Sequence, residues 1–126
     1  MGIQARVVRV IDGDTIEVVL NGARVTVRYY GVNTPESNQR CFREATNRNR
    51  QLAGSMALLE PDARNTDQYG RLPRYVYTAD GEVMIDAALV AEGYGEAWRS
   101  DGKHRNMIIS LQNEASRAGR GCLWGG

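Results

Sequence analysis

The sequence predicts an α+β fold, a small barrel of about five strands with three α-helices, formed as a single domain over residues 1–126. Three observations predict it. Short β-branched runs separated by turn residues fill the N-terminal third and recur later in the chain, at strand rather than helix lengths. Further segments carry apolar residues at helical spacing. A chain of 126 residues is long enough for one hydrophobic core but not for two.

Arg6 to Ile11 reads as the first strand, rich in Val and ending at Asp12-Gly13. Thr15 to Leu20 and Arg24 to Tyr30 form a hairpin through Asn21-Gly22, a pair that readily takes the left-handed conformation a two-residue turn requires. Alternation in the returning strand sends Val25, Val27 and Tyr29 to one face and Arg24, Thr26, Arg28 and Tyr30 to the other. With the Val stripe as core, Arg28 lies on the face free to meet a ligand. Phe42 to Ala53 reads as a helix with Phe42, Ala45, Asn49, Leu52 and Ala53 along one side, a Glu44–Arg48 pair on the other, and Gly54 as its stop. Met56 to Glu60 is a short strand and Pro61 to Gly70 a polar loop. Leu72 to Tyr77 is a strand whose Pro73 argues for an edge or a bulge, and Ala79-Asp80-Gly81 is a turn. Met84 to Glu92 is apolar nearly all round, which predicts a buried helix ended by Gly93. Lys103 to Ala118 is the cleanest amphipathic helix, with Ser100 or Asp101 available as N-cap, and Leu123-Trp124 in the tail is expected to plug back onto the body.

Composition narrows the function classes. The longest apolar run, Ala87 to Ala91, is far too short to cross a bilayer, so no membrane partner is expected. Net charge is +1, which excludes a uniformly basic nucleic-acid-coating protein. The basic residues are uneven, however: residues 1–50 carry eight arginines against five acids, and only Lys103 of the sixteen basic residues is lysine. Arginine presents a planar fork suited to phosphate, although GC-rich coding is the preferred explanation of the ratio. His104 is the only histidine, so mechanisms needing two imidazoles are excluded, and its place near a helix start predicts a surface residue. Cys41 and Cys122 form no metal or redox motif; they are two buried thiols or one long-range disulfide, and the second is preferred. An oxidising compartment, secreted or periplasmic, is then expected, with a signal peptide preceding this sequence and the cytoplasm as the alternative.

The chemistry concentrates between Asp12 and Glu36. An antiparallel return places the end of the second hairpin strand beside the start of the first, so Asp14 should meet the Asn33-Thr34-Pro35-Glu36 turn. A carboxylate, an amide oxygen and a backbone carbonyl make a hard-oxygen set suited to Ca²⁺ or Mg²⁺. Taken singly, Asp12-Gly13 is a turn and Thr34-Pro35 a cap; it is their convergence, with Arg28 and Glu36 in reach, that points to a site. Phosphodiester cleavage requires cations to hold charge on the phosphate oxygens and a carboxylate to position water. Arg71, in T-D-Q-Y-G-R, is the second cation, and Tyr69 is an aromatic surface for a base.

Over nearly the whole chain, from about Arg6 to Trp124, the sequence resembles the staphylococcal nuclease (thermonuclease) family. The resemblance rests on V-I-D-G-D-T at Val10–Thr15, V-R-Y-Y-G-V-N-T-P-E at Val27–Glu36, T-D-Q-Y-G-R at Thr66–Arg71, I-D-A-A-L-V-A-E-G-Y at Ile85–Tyr94 and the closing Leu123-Trp124. It implies a five-stranded OB-fold β-barrel with three α-helices that hydrolyses DNA and RNA with Ca²⁺; a monomer acting on single-stranded or loosened duplex nucleic acid is the accompanying expectation. It further implies Arg28, Glu36 and Arg71 as catalytic residues, with Glu36 as general base. Asp14, Asn33 and the Thr34 carbonyl become metal ligands, Asp12 a carboxylate behind them, and Gln68, Tyr69 and Trp98 substrate contacts. The sequence departs from the family at Asn33, where the family has a second metal-binding Asp. It departs also at Gln68, where a cationic side chain is common, and at Leu72-Pro73-Arg74, where small residues are common. Losing one charge at Asn33 predicts weaker Ca²⁺ binding. The competing expectation is a non-catalytic or weakly active OB-fold module that binds nucleic acid.

Overall fold

The computed structural model describes residues 2–125; Met1 and Gly126, the last residue of the predicted tail, lie outside them. Strands β1 (Ile3–Asp12), β2 (Thr15–Leu20) and β3 (Ala23–Tyr29) form an antiparallel meander, followed by a two-residue strand β4 (Val32–Asn33), helix α1 (Phe42–Ala53), and strands β5 (Met56–Glu60) and β6 (Leu72–Thr78). Helix α2 (Ile85–Ala91), strand β7 (Glu96–Ala97), helix α3 (Arg105–Ala118) and a short helix α4 (Gly121–Trp124) complete the chain. The long strands close into one barrel in the order β1-β2-β3-β6-β5, while β4 and β7 pair separately beside its mouth.

The hairpin forms as its turn chemistry demands. Asn21 and Gly22 have φ of 52° and 80°, and pairing runs from Leu20 opposite Ala23 to Thr15 opposite Arg28. That register puts Ile16, Val18 and Val27 wholly inside the barrel. Strand β1 starts three residues earlier than its Val content predicts, because Ile3 to Arg6 pair with Leu59 to Met56 of β5, a partner distant in sequence. Pro73 does not mark an edge strand or a bulge in the closed barrel. It is tolerated because β6 pairs with β5 only from Tyr75 onward, so at Pro73 the strand is bonded on the β3 side alone.

The helices cover one end and one side of the barrel. On α1, Asn49 is fully buried: its side chain accepts from the Tyr29 hydroxyl and donates to the Asp12 carbonyl at 2.9 Å, fixing the end of β1. Arg48 does not pair with Glu44; its guanidinium reaches Glu92 at 2.6 Å, a partner that long-range packing brings close. Tyr30, predicted to share a ligand-facing side with Arg28, lies beyond the end of β3 and is buried against the Tyr75 ring, 4.9 Å between centroids. Asp86, in the first turn of α2, is fully buried and accepts the backbone N–H of Gly31 at 2.9 Å and of Val76 at 2.8 Å, tying the helix to two barrel segments. Burial pushes its carboxyl up to about 6 in spite of those donors.

Neither Ser100 nor Asp101 caps α3; the helix opens at His104, and Asp101 is turned the other way, towards Trp98 and Arg64. His104 is not a plain surface residue. Its Nε2 lies 3.0 Å from Glu60 Oε1 and its ring meets the Tyr75 ring edge-on at 4.6 Å. Burial pushes the Glu60 carboxyl up, but the Tyr77 hydroxyl, His104 and Lys103 outweigh it and hold the group below its ordinary value. The tail docks as expected, and as a fourth short helix. Cys41 and Cys122 are joined in a disulfide, Arg40 donates to the Cys122 and Leu123 carbonyls at 2.7 and 3.1 Å, and the Leu123 N–H donates to the Gly93 carbonyl at 2.9 Å. Gly93 and Gly121 pack back to back: a Cβ on Gly93 would lie 2.1 Å from the Arg120 carbonyl oxygen. No helix among the described residues is long and apolar enough to cross a membrane.

Two outcomes follow for stability. Cys41→Ser/Cys122→Ser should lower unfolding free energy by roughly 4–5 kcal/mol on the chain-entropy view of an 81-residue separation, read by urea denaturation. Asp86 has its folded value, about 6, above that of an ordinary aspartate, 3.8, so its contribution is fully present below the lower value and is lost as pH rises through the higher. Wild type should therefore lose stability relative to Asp86→Asn as pH rises from about 4 to about 6, read by urea denaturation at each pH; a constant difference would contradict this.

Candidate active site

The predicted corner forms where the hairpin closes. The Tyr29 N–H donates to the Asp14 carbonyl at 2.8 Å, which holds the ends of β2 and β3 together. The Asp14 carboxylate then accepts the Thr34 N–H at 3.0 Å on Oδ2 and the Thr15 hydroxyl at 3.0 Å on Oδ1. Arg28 lies inside this corner rather than on an open face. Its Nη2 is 3.3 Å from Asp14 Oδ2 and also donates to Asn33 Oδ1, while Nη1 donates to the Tyr29 and Val32 carbonyls. Asn33 is held there by the β4–β7 pair, opposite Glu96. Behind Asp14, the Asp12 carboxylate accepts the Asp14 N–H at 3.1 Å; burial first, and the Asp14 charge second, push the Asp12 carboxyl up to about 6.

Beside the corner opens a cleft of about 320 Å³ whose walls include Arg28, Gln68, Tyr69, Arg71 and Trp98. Arg71 is fixed by Asp67, four residues earlier in the same turn, with Nε donating to Oδ2 at 2.7 Å and the backbone N–H to Oδ1 at 2.9 Å. Burial alone would raise the Asp67 carboxyl, but the Arg71 and Tyr69 donors outweigh it and hold it below its ordinary value. Tyr69 is 73% exposed, with the Arg71 guanidinium 5.2 Å from its ring centroid. Trp98 turns its indole N–H onto Asp101 at 2.8 Å.

Glu36 is not among the residues that line this cleft. It borders a neighbouring hollow of about 560 Å³ shared with Asn33, Thr34, Gln39 and Arg40. Its backbone N–H donates to Gln39 Oε1 at 2.7 Å, while its exposed carboxylate has no hydrogen-bond partner among the described residues. The fold thus brings Arg28, Gln68, Tyr69, Arg71 and Trp98 to one cleft, and sets Asp14, Asn33 and Thr34 against Arg28.

A hard cation fits the chemistry of this donor set. Asp14, Asn33 and the Thr34 carbonyl are all oxygen donors, Thr34 Oγ1 is buried without a hydrogen-bond partner, and Asp12 and Asp14 leave excess negative charge in a partly buried place. Three carboxylate, His or Cys side chains do not converge on any one point among the described residues. Because the Arg28 guanidinium already spans Asp14 and Asn33, a cation held by these residues would have to share their oxygens with it.

Sequence reasoning did not find Arg64, Asp67 or Asp101. Asp67 carried a local signal, four residues before Arg71 in a turn. Arg64 carried none, because its partner Asp101 lies 37 positions away.

Fold and site together define an OB-type barrel with an arginine-lined cleft beside an oxygen-lined corner. The profile of the family described as staphylococcal nuclease homologue matches residues 26–125. A thermonuclease of Staphylococcus hyicus is 35% identical over 121 residues, covering 89% of this chain and 70% of its own length. An endonuclease of Escherichia coli O157:H7, described as uncharacterized, is 36% identical over 124 residues, covering 97% and 77%. Endonuclease YncB of Bacillus subtilis is 44% identical over 93 residues, which are 68% of this chain but only 43% of that protein. The chain belongs to the staphylococcal nuclease family.

The corner tolerates no extra atom at Gly13, where a Cβ would lie 2.5 Å from Thr34 Oγ1 and 2.8 Å from Thr34 Cβ. Gly13→Ala should push Thr34 off Asp14 and cost about 1–3 kcal/mol, measured by urea denaturation. Wild-type stability in that variant would mean Thr34 is not held as described.

Proposed function

We propose that this protein is a Ca²⁺-dependent nuclease that hydrolyses phosphodiester bonds of DNA and RNA, in single-stranded or loosened form, by attack of water on phosphorus. The observation that carries the reading is the convergence of Arg28 and Arg71 on one cleft, directly against the oxygen corner of Asp14, Asn33 and Thr34. In this reading the two guanidinium groups hold the phosphate oxygens on which negative charge grows in the transition state. Asp67 orients Arg71, and the Asp14–Asn33–Val32 contacts orient Arg28. Glu36, whose exposed carboxylate has no hydrogen-bond partner among the described residues, takes the proton of the attacking water as the new O–P bond forms; the bond to the leaving nucleoside oxygen breaks, and that oxygen takes a proton from solvent. A Ca²⁺ ion held by Asp14, Asn33 and the Thr34 carbonyl would add positive charge next to the same oxygens. Tyr69 and Trp98 offer aromatic surface to bases, and Gln68 a neutral polar contact. The Cys41–Cys122 bridge supports placement in an oxidising compartment.

The test is cleavage of denatured DNA by the full chain across a Ca²⁺ titration. Arg71→Ala should lower kcat/KM about 10²–10³-fold, and Glu36→Ala by a similar factor. Asn33→Asp should tighten Ca²⁺ binding in calorimetry, because it adds a charged ligand. A folded wild-type protein that binds DNA yet cleaves nothing at any Ca²⁺ concentration would favour the second reading. That reading, a non-catalytic nucleic-acid-binding module, draws its support from the neutral Asn33 and from the guanidinium already lodged between Asn33 and Asp14.

A further inference from the structure

Arg64 and Arg71 line the same cleft and are built in the same way. In each, Nε donates to an aspartate: Arg71 to Asp67 at 2.7 Å, Arg64 to both oxygens of Asp101 at 3.1 and 3.2 Å. Each guanidinium lies over aromatic surface, Arg71 on Tyr69 at 5.2 Å, Arg64 on Tyr30 at 4.2 Å and on Trp98 at 4.9 Å. In each, the two terminal nitrogens have no hydrogen-bond partner among the described residues. An arginine fixed through Nε and over its flat face has only its Nη edge left to offer, and that edge can donate to two oxygens of a phosphate. The anchoring of Arg64 is the more elaborate: the Trp98 indole and the Tyr30 hydroxyl both donate to the same Asp101, at 2.8 and 2.7 Å.

We infer that Arg64 is a second phosphate-binding arginine, which holds the phosphodiester next to the one that is cleaved and so positions the strand in the cleft. This rests on reading the cleft as a nucleic-acid site. It also accounts for Gln68. A chain lacking a cation at that position still presents a third guanidinium to the cleft, from the loop before β6, with Tyr30 and Trp98 serving as its mount. Arg64 is a positioning residue: its loss should weaken binding of a strand and leave the chemistry at the cleaved bond intact.

The experiment compares Arg64→Gln and Arg64→Met with wild type on two substrates, a ten-residue oligothymidylate and a thymidine p-nitrophenyl phosphodiester, which has a single phosphate. Expected for both variants are a roughly tenfold higher KM on the oligonucleotide, kcat within twofold, and no change on the single-phosphate diester. Affinity for the oligonucleotide, measured by fluorescence anisotropy in a Glu36→Ala background, should fall less steeply with salt. The slope of log K against log salt should flatten by about 0.7, the loss of one phosphate contact on a single strand. Arg64→Lys should restore the slope. Unchanged KM and slope in both variants would overturn the inference, as would an equal loss on the single-phosphate diester. The binding arm is separate from catalysis. A flattened slope in a protein that cleaves nothing would leave the Arg64 site standing and remove only the nuclease reading.

Discussion

The pairing of Thr15 with Arg28 across the mouth of the β2–β3 hairpin is the constraint on which the site depends. Side chains alternate with a period of two along a strand, so a slip of one residue would drive Arg28 into the barrel and expose Val27. Two devices pin the register. The left-handed Asn21-Gly22 turn sets it at one end, and the Tyr29 N–H to Asp14 carbonyl bond closes it at the other. Burial of Ile16, Val18 and Val27 adds an energetic penalty to any alternative, about 1.5–3 kcal/mol for each side chain moved to water. Asp14 and Arg28 meet because the apolar faces of their strands must.

The second ordering principle is the control of arginine. A free arginine side chain has many rotamers and loses up to about 2 kcal/mol of entropy when fixed. In the cleft this cost is met locally, by giving each guanidinium a carboxylate on one edge and ring faces or carbonyls elsewhere. Arg28 has Asp14 and Asn33, Arg71 has Asp67, and Arg64 has Asp101. Each aspartate also reduces the local net charge, so the cleft presents directed donors rather than a diffuse positive field. Burial alone would raise the Asp101 carboxyl, but Arg64, Trp98 and Tyr30 outweigh it and hold the group at about 2. The carboxylate that fixes Arg64 is thus ionised at any pH at which the protein would work.

Much of the fold could be read directly. The Phe42–Ala53 helix and the Met56–Glu60 strand have the bounds their patterns predict, because their signals are local: a helix-period apolar side ending at Gly54, then a short apolar run. The failures share a cause. Glu44 and Arg48 are correctly spaced to pair along the helix, but Glu92 offers Arg48 a two-pronged partner from another element. Asp101 has the chemistry of a helix cap, but the cluster of Arg64, Trp98 and Tyr30 claims it. His104 is placed at a helix start, yet Glu60 and Tyr75 draw it half under the surface. In each case a long-range charged or aromatic partner replaces a weaker local contact.

What the sequence determined by itself is the hairpin, its turn, the identity of the strands and main helices, and the convergence of Asp14, Arg28 and the Asn33–Thr34 turn, since all of these follow from periodicity and antiparallel geometry within about thirty residues. Only the tertiary structure decided which arginines share the cleft and that Glu36 faces an adjoining hollow. It alone set the Arg28 guanidinium between Asp14 and Asn33, and paired Arg64 with Asp101. The physical reason is that these contacts join segments whose separation is fixed by barrel closure and by the packing of the tail. The Arg64–Asp101 pair spans 37 positions, and the cleft forms between segments that meet only once β6 has paired with β3 to close the barrel.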